Sequence, residues 1–203
     1  YIFPKNQSLY EPSYNSFGQI GLIQTPSAES KPEGTVSLIL NRNDIWKFGT
    51  LTVSPFDWLE AGYFYYRPSD LEWGGVPGLY LDKGFNVKFT YRPSNKNLPS
   101  IALGLDDFAG TGFFSREYVV STLKYENFKT TVGVGWGKFV GQNSFENPLT
   151  SISEGFAVRP KFSDYLSFGG RPSFDQWFRG DIAIFGGLEY TIPNFRGLKV
   201  KVE

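Results

Sequence analysis

Asp82-Lys-Gly-Phe-Asn-Val-Lys-Phe-Thr-Tyr91 sets the period of the chain. Phe85, Val87, Phe89 and Tyr91 alternate without a break with Gly84, Asn86, Lys88 and Thr90. Successive side chains of an extended backbone point to opposite faces, so one face here is bulky and apolar. The other is small and polar, with an ammonium near its middle. No helical period fits this order. It reads as a strand of an antiparallel sheet whose two faces meet different surroundings.

The alternation recurs on both sides of that strand. Upstream, Val36, Leu38 and Leu40 share one side of Thr35 to Asn41, while Trp46 to Ser54 alternates imperfectly. From Trp58 to Arg67, Leu59, Ala61, Tyr63 and Tyr65 oppose Glu60, Gly62, Phe64 and Tyr66. Both faces carry rings there, and neither is marked as the inner one. Downstream, Ile101, Leu103 and Leu105 oppose Ala102, Gly104 and Asp106, and Val119, Ser121, Leu123 and Tyr125 share one side of the next strand. Glu126-Asn127 is predicted to be a two-residue hairpin turn. In the strand after it, Val132, Val134 and Trp136 oppose Thr131, Gly133, Gly135 and Gly137. Glycines on one face require an interior crowded at that height, and a docked arm is one candidate occupant. Ile182, Ile184, Leu188 and Tyr190 then oppose Ala183, Phe185, Gly187 and Glu189, and Leu198, Val200 and Val202 alternate with Lys199, Lys201 and Glu203.

Between these strands, Pro55-Phe-Asp57, Pro93 to Pro99 and Pro193 to Gly197 read as turns, Gly110-Thr-Gly112 as a flexible break and Pro68 to Leu81 as a Gly/Pro-rich loop. Val140 to Phe178 lacks alternation and reads as a large loop, with a short strand or hairpin expected at Gly155–Arg159 and Tyr165–Gly169. Residues 1–33, punctuated by Pro4, Pro12 and Pro26, read as an extended N-terminal arm. Its residues expected to dock in or under the sheet are Gly18, Gly21, Leu22, Ile23 and Pro26, with Ile20 adding apolar surface.

Composition narrows the chemistry. The 203 residues include twenty basic and twenty acidic side chains, no histidine, no cysteine and no methionine. Net charge gives no reason to expect nucleic acid, and disulfides, thiol nucleophiles, a Ser–His triad and the usual zinc ligands are excluded within the chain. Aromatic residues reach 18%, and no apolar run approaches the length of a transmembrane helix. A membrane β-barrel remains open, because its hydrophobic signal is spread over alternate positions. A soluble barrel or sandwich explains the same alternation with its apolar face turned inward. The polar faces carry chiefly Gly, Ser, Thr and Asn rather than charge, which favours the antiparallel up-and-down transmembrane β-barrel. Tyr91, Tyr125, Trp136 and Tyr190 then suit interfacial belts. The last strand stops at Glu203 without a hairpin partner, so the sheet at 34–203 is expected to continue in a longer chain.

Several segments resemble, in order, the YjbH/GfcD-type outer-membrane proteins of exopolysaccharide and capsule gene clusters in Gram-negative bacteria. They are Gly21-Leu-Ile-Gln-Thr-Pro-Ser-Ala28, Asp57-Trp-Leu-Glu60, Asp82-Lys-Gly-Phe85, Ala102-Leu-Gly-Leu-Asp-Asp107, Gly110-Thr-Gly-Phe-Phe-Ser-Arg-Glu-Tyr118, Val132-Gly-Val-Gly-Trp-Gly137, Trp177-Phe-Arg-Gly180 and Phe185-Gly-Gly-Leu-Glu-Tyr190. The resemblance runs from about Pro12 to Glu203 and implies an outer-membrane β-barrel taking part in export or assembly of an extracellular polysaccharide, without enzymatic activity or cofactor. The implied partners are outer-membrane lipid, the polysaccharide and other proteins of the export machinery. Members are longer than this chain, and several resemble lipoproteins anchored through an N-terminal cysteine that this segment lacks. The alternative is a structural or protein-binding outer-membrane barrel without a transport role.

Polysaccharide contact would use rings that stack on sugar faces and polar groups that reach hydroxyls. The candidates are Trp73, Tyr80, Phe174, Trp177 and Arg179 in loops, with Asn86, Lys88, Asp106 and Glu189 on polar faces. Asp106, Asp107 and Glu60 do not read as a glycosidase pair, since Asp106 and Asp107 are expected on opposite faces of a strand. Solvation at the strand end or a lumen ion pair with Lys88 is the expected alternative. Asp70, Glu72 and Asp82 lack the spacing of a calcium loop, so no metal is expected.

Overall fold

Nine strands pair in chain order into one antiparallel sheet: β1 (Thr35–Arg42), β2 (Trp46–Phe56), β3 (Leu59–Pro68), β4 (Asp82–Tyr91), β5 (Ser100–Asp106), β6 (Arg116–Tyr125), β7 (Phe128–Gly135), β8 (Ala183–Thr191) and β9 (Lys199–Val202). The computed structural model describes residues 11–69, 72–73, 76–77, 80–160, 171–172, 174–195 and 197–203, with the backbone only at residues 72, 73, 76, 77 and 171. β1 and β9 pair with each other nowhere among the described residues, so these nine strands form an open sheet and do not by themselves close the expected barrel.

Local chemistry explains the register. β2 and β3 turn through Asp57 and Trp58, and the ladder shifts between Val53 and Phe56, where Pro55 has no N–H to donate. Tyr125 faces Phe128 across the Glu126-Asn127 turn, with Glu126 at a positive φ of 50°. One end of the sheet thus carries short turns. The other carries the connections after β3, β5 and β7, and is called the loop end below.

The two faces differ as the alternation predicts. Phe85 and Phe89 are 47% and 42% exposed, and Val36, Leu38, Leu103, Val119, Val132, Ile184, Leu188 and Val200 are exposed on the same side. Thr50, Thr52, Glu60, Asn86, Lys88, Thr122, Lys129, Thr131 and Glu189 are buried on the other. Rings collect at the turn end of the open face: Phe56, Trp58 and Phe89 stack in series, Phe128 packs on Tyr190, and Tyr91 and Tyr125 stand exposed. Trp136 departs from the expected belt. It is buried, edge-on to Phe178 at 5.1 Å, because the strand ends at Gly135 and Trp136 precedes a 3-10 turn.

The arm covers the polar face. Ile20, Leu22 and Ala28 are buried there, whereas Ile23, expected to dock, is 43% exposed. Its backbone rather than its side chain is held. Ser13 donates to Glu189 on β8, while the next residue, Tyr14, bonds Ser37 on β1. On a flat sheet those strands would lie about 34 Å apart, seven steps of about 4.8 Å. Neighbouring Cα atoms are about 3.8 Å apart, and no Ser and Tyr side chain can make up the difference. The sheet is therefore strongly curled around the arm.

The inner-face glycines of β7 face rings, whereas a Cβ at Gly187 on β8 would meet the Val202 carbonyl and Leu22 of the arm. A Cβ at Gly133 would meet the Phe185 ring, one at Gly135 the Phe139 ring, and one at Gly104 the Tyr118 ring at 2.1 Å. The occupant of the crowded space is thus Phe185 and Phe139, which stack at 4.5 Å beside the buried Tyr118. Gly104→Val is expected to destabilise the fold by about 1–3 kcal/mol, the usual cost of overpacking, measured by urea unfolding of the purified protein.

The long loop also departs from expectation. Gly155–Arg159 forms a 3-10 turn at Glu154–Phe156 followed by irregular chain, not a strand, and Tyr165–Gly169 lies outside the described residues. Gly110, the first residue of the expected flexible break Gly110-Thr-Gly112, pairs with Arg171, and Ala109 before it with Pro172.

Candidate functional site

The filled face is a ladder of polar contacts between arm and sheet. From β2, Thr50 and Thr52 donate to the carbonyls of Phe17 and Gly18 at 2.8 and 2.7 Å. From β3 and β4, Glu60 and Lys88 lie 3.3 Å apart and take the Ile20 N–H and carbonyl between them. Gln19 bridges Asp106 at the end of β5 and Arg116 on β6, and the Arg116 Nε lies 2.6 Å from Asp106. Thr122 accepts from the Ala28 N–H at 2.9 Å. Lys129 on β7 pairs with Glu29 at 2.8 Å and with Glu189 at 3.3 Å. On β9, Lys201 donates to the carbonyls of Gly21 and Leu22, and the Glu203 carboxylate accepts from the N–H groups of Ile23, Gln24 and Thr25. An irregular segment has backbone groups that no ladder satisfies, and here strand side chains satisfy them.

At the loop end the polar lining gives way to rings. Trp46 and Phe48 of β2, Phe64 and Tyr66 of β3, Phe17 of the arm and Phe114 of the β5–β6 connection pack at centroid distances of 4.4 to 5.8 Å. They line a cavity of about 290 Å³ together with Asn86, Asp106, Asp107, Arg116, Lys138 and Gln24. The Arg116 guanidinium lies over the Phe17 ring at 5.0 Å, and the Lys138 ammonium over Phe113 at 4.4 Å. Asp107 follows β5 with φ 52° and is fully buried; the Asn86 side chain accepts its N–H. Burial first, and then the charge of Asp82, push the Asp107 carboxyl up to about 8.

Above the cavity, the Arg159 guanidinium clamps the buried Glu117 carboxylate at 2.7 and 2.8 Å and reaches Ser115. Asn147 bonds the carbonyls of Phe156 and Phe178, tying the long loop to itself.

The residues singled out in the sequence do not form one site. Asn86 and Asp106 line the cavity, while Lys88 and Glu189 hold the arm. Lys88 pairs with Glu60 rather than Asp106, whose partner is Arg116. Asp106 and Asp107 are both buried rather than on opposite faces, because β5 ends at Asp106 and the chain turns. Phe174 and Trp177 pack together at 4.7 Å in the long loop, with Phe174 exposed, and Arg179 lines a separate loop crevice. Tyr80 lies against Phe113. The Trp73 side chain and Asp70 lie outside the described residues. The aromatic wall from β2 and β3 was missed as a site. Its signals were the rings on both faces of Trp58 to Arg67 and the broken alternation after Trp46.

The family model "Exopolysaccharide biosynthesis protein YbjH" of the YjbH family matches residues 13–203. The chain belongs to the YjbH family. It is 34% identical over 197 residues to the "Uncharacterized lipoprotein YjbH" of Escherichia coli (strain K12), covering 95% of this chain and 28% of that protein. The chain thus spans little more than a quarter of that YjbH relative. No solved structure matches. The matched region contains every strand of the sheet and the arm from Ser13 onward.

Proposed function

We propose that this chain forms part of the wall of an outer-membrane β-barrel that takes part, without enzymatic chemistry, in export or assembly of an extracellular polysaccharide. The observation that carries the reading is the inverted sheet: large apolar side chains exposed on one face, and Lys88, Glu60, Lys129 and Glu189 buried on the other. A water-soluble sheet hides its apolar face, whereas a barrel wall in lipid turns it outward. The turn-end rings fit an interfacial girdle. β1 and β9 run in the same direction, so an all-antiparallel closure requires an odd number of further strands. The polysaccharide role rests on membership of the exopolysaccharide-biosynthesis family.

The arm acts as a plug in this reading. Full-length protein in a planar bilayer is expected to show low conductance, and deletion of residues 9–28 to raise it. Unchanged conductance in a correctly inserted deletion variant removes the plug role, and failure of the full-length protein to insert removes the barrel.

A further inference from the structure

The cavity at the loop end is two-sided. Its β2–β3 side is made of ring faces, Trp46, Phe48, Phe64 and Tyr66, while β4 to β6 supply the amide of Asn86 and the charges of Asp106 and Arg116. A pyranose ring has the matching asymmetry, with C–H groups on its faces and hydroxyls around its edge; rings take the first and hydrogen-bonding groups the second. One donor awaits a partner: the Asn86 amide oxygen accepts the Asp107 N–H, while its amide nitrogen bonds nothing among the described residues. A buried donor left unpaired is costly unless a ligand completes it.

We propose that this cavity is a saccharide subsite that holds one sugar residue, a chain end or side group of an extracellular polysaccharide. The inference rests on the polysaccharide reading above and adds the place and stoichiometry of contact. At about 290 Å³ the cavity is at the small end of ligand sites, and the arm residues Phe17 and Gln24 form part of its lining. A sugar bound there therefore touches the plug, and a continuous polymer does not thread the cavity while the arm is seated. Sugar binding and arm seating are coupled, and the coupling is reciprocal.

The test uses full-length protein in lipid nanodiscs and oligosaccharides of one to three residues, released by mild acid from the producing strain's own extracellular polymer. Saturation-transfer NMR and calorimetry read binding. Asn86→Asp keeps the acceptor for the Asp107 N–H and removes the amide N–H donors, so affinity is expected to fall roughly three- to tenfold. Phe48→Ala is expected to weaken it more, and Ile152→Ala, exposed in the long loop, to leave it unchanged. Since Phe48→Ala can disturb folding, Asn86→Asp decides, with retained membrane insertion as its control. No saturable binding to inserted protein, or binding indifferent to Asn86→Asp, overturns the subsite while leaving the membrane reading intact. Failure to insert strikes the membrane reading instead.

Discussion

Val132→Arg is expected to abolish stable membrane insertion while Thr131→Ser leaves it unchanged. Val132 is exposed near the middle of β7, flanked in register by Ser121 on β6 and Gly186 on β8. If that face meets lipid, an arginine there costs about 2–4 kcal/mol, falling to about 0–1 near the interfaces. Tyr125→Arg, at the turn end of β6, is therefore expected to be nearly silent. The depth dependence is the informative part, because a soluble sheet would show no gradient between the two sites. Thr131 lies on the inner face against Thr122, where the shared hydroxyl contact survives the change to serine. The readout is the fraction of full-length protein recovered in vesicles after flotation. Equal recovery of Val132→Arg and wild type would remove lipid from the open face. The absence of cysteine from this chain gives a second readout: a cysteine placed at Leu38 or Leu188 should be shielded from water-soluble maleimide.

The strand order was legible because most of the strands keep a period of two, and short turns leave few ways to pair consecutive strands. Asp82 to Tyr91 showed two unlike faces, and only the choice of a membrane barrel over a soluble sheet turned the bulky one outward. Phe85 and Phe89 are exposed, and Asn86 and Lys88 buried, as that choice expects. The aromatic cavity was harder to read for a physical reason. Period alone cannot separate inner from outer when Tyr63 and Tyr65 alternate with Phe64 and Tyr66, since all four are large and apolar. Only the arm, whose Phe17 packs on Trp46 and Phe48, decides which rings turn inward. The ion pairs were opaque for a related reason. Lys88 is nearer in sequence to Asp106 than to Glu60, but the antiparallel register sets Lys88 directly opposite Glu60 on β3, while it faces Gly104 on β5. Loop contacts such as Arg159 to Glu117 join residues far apart in the chain and carry no periodic signal.

Lys88→Met is expected to destabilise the protein by about 3–5 kcal/mol, the usual cost of removing one partner from a buried ion pair. Lys88 and Glu60 are 1% and 4% exposed, 3.3 Å apart, and sit at the centre of the arm-filled face. The pair serves two ends at once: it neutralises itself and satisfies both backbone groups of Ile20. Methionine fills similar volume but leaves the Glu60 carboxylate without its cation and the Ile20 carbonyl without its donor. One Glu60 oxygen already lacks a partner, so the carboxylate has little left to hold its charge. The double variant Lys88→Met with Glu60→Gln removes the stranded charge, and is expected to recover a large part of the loss while still leaving the arm less firmly seated. Urea unfolding measures the stability, and protease cleavage near Ile20 measures seating of the arm. If Lys88→Met and the double variant unfold at the same urea concentration, the cost lies in lost packing rather than in an uncompensated charge. If neither variant increases cleavage of the arm, the pair stabilises the sheet alone, and the arm is held by Glu203, Lys201 and the threonines of β2 instead.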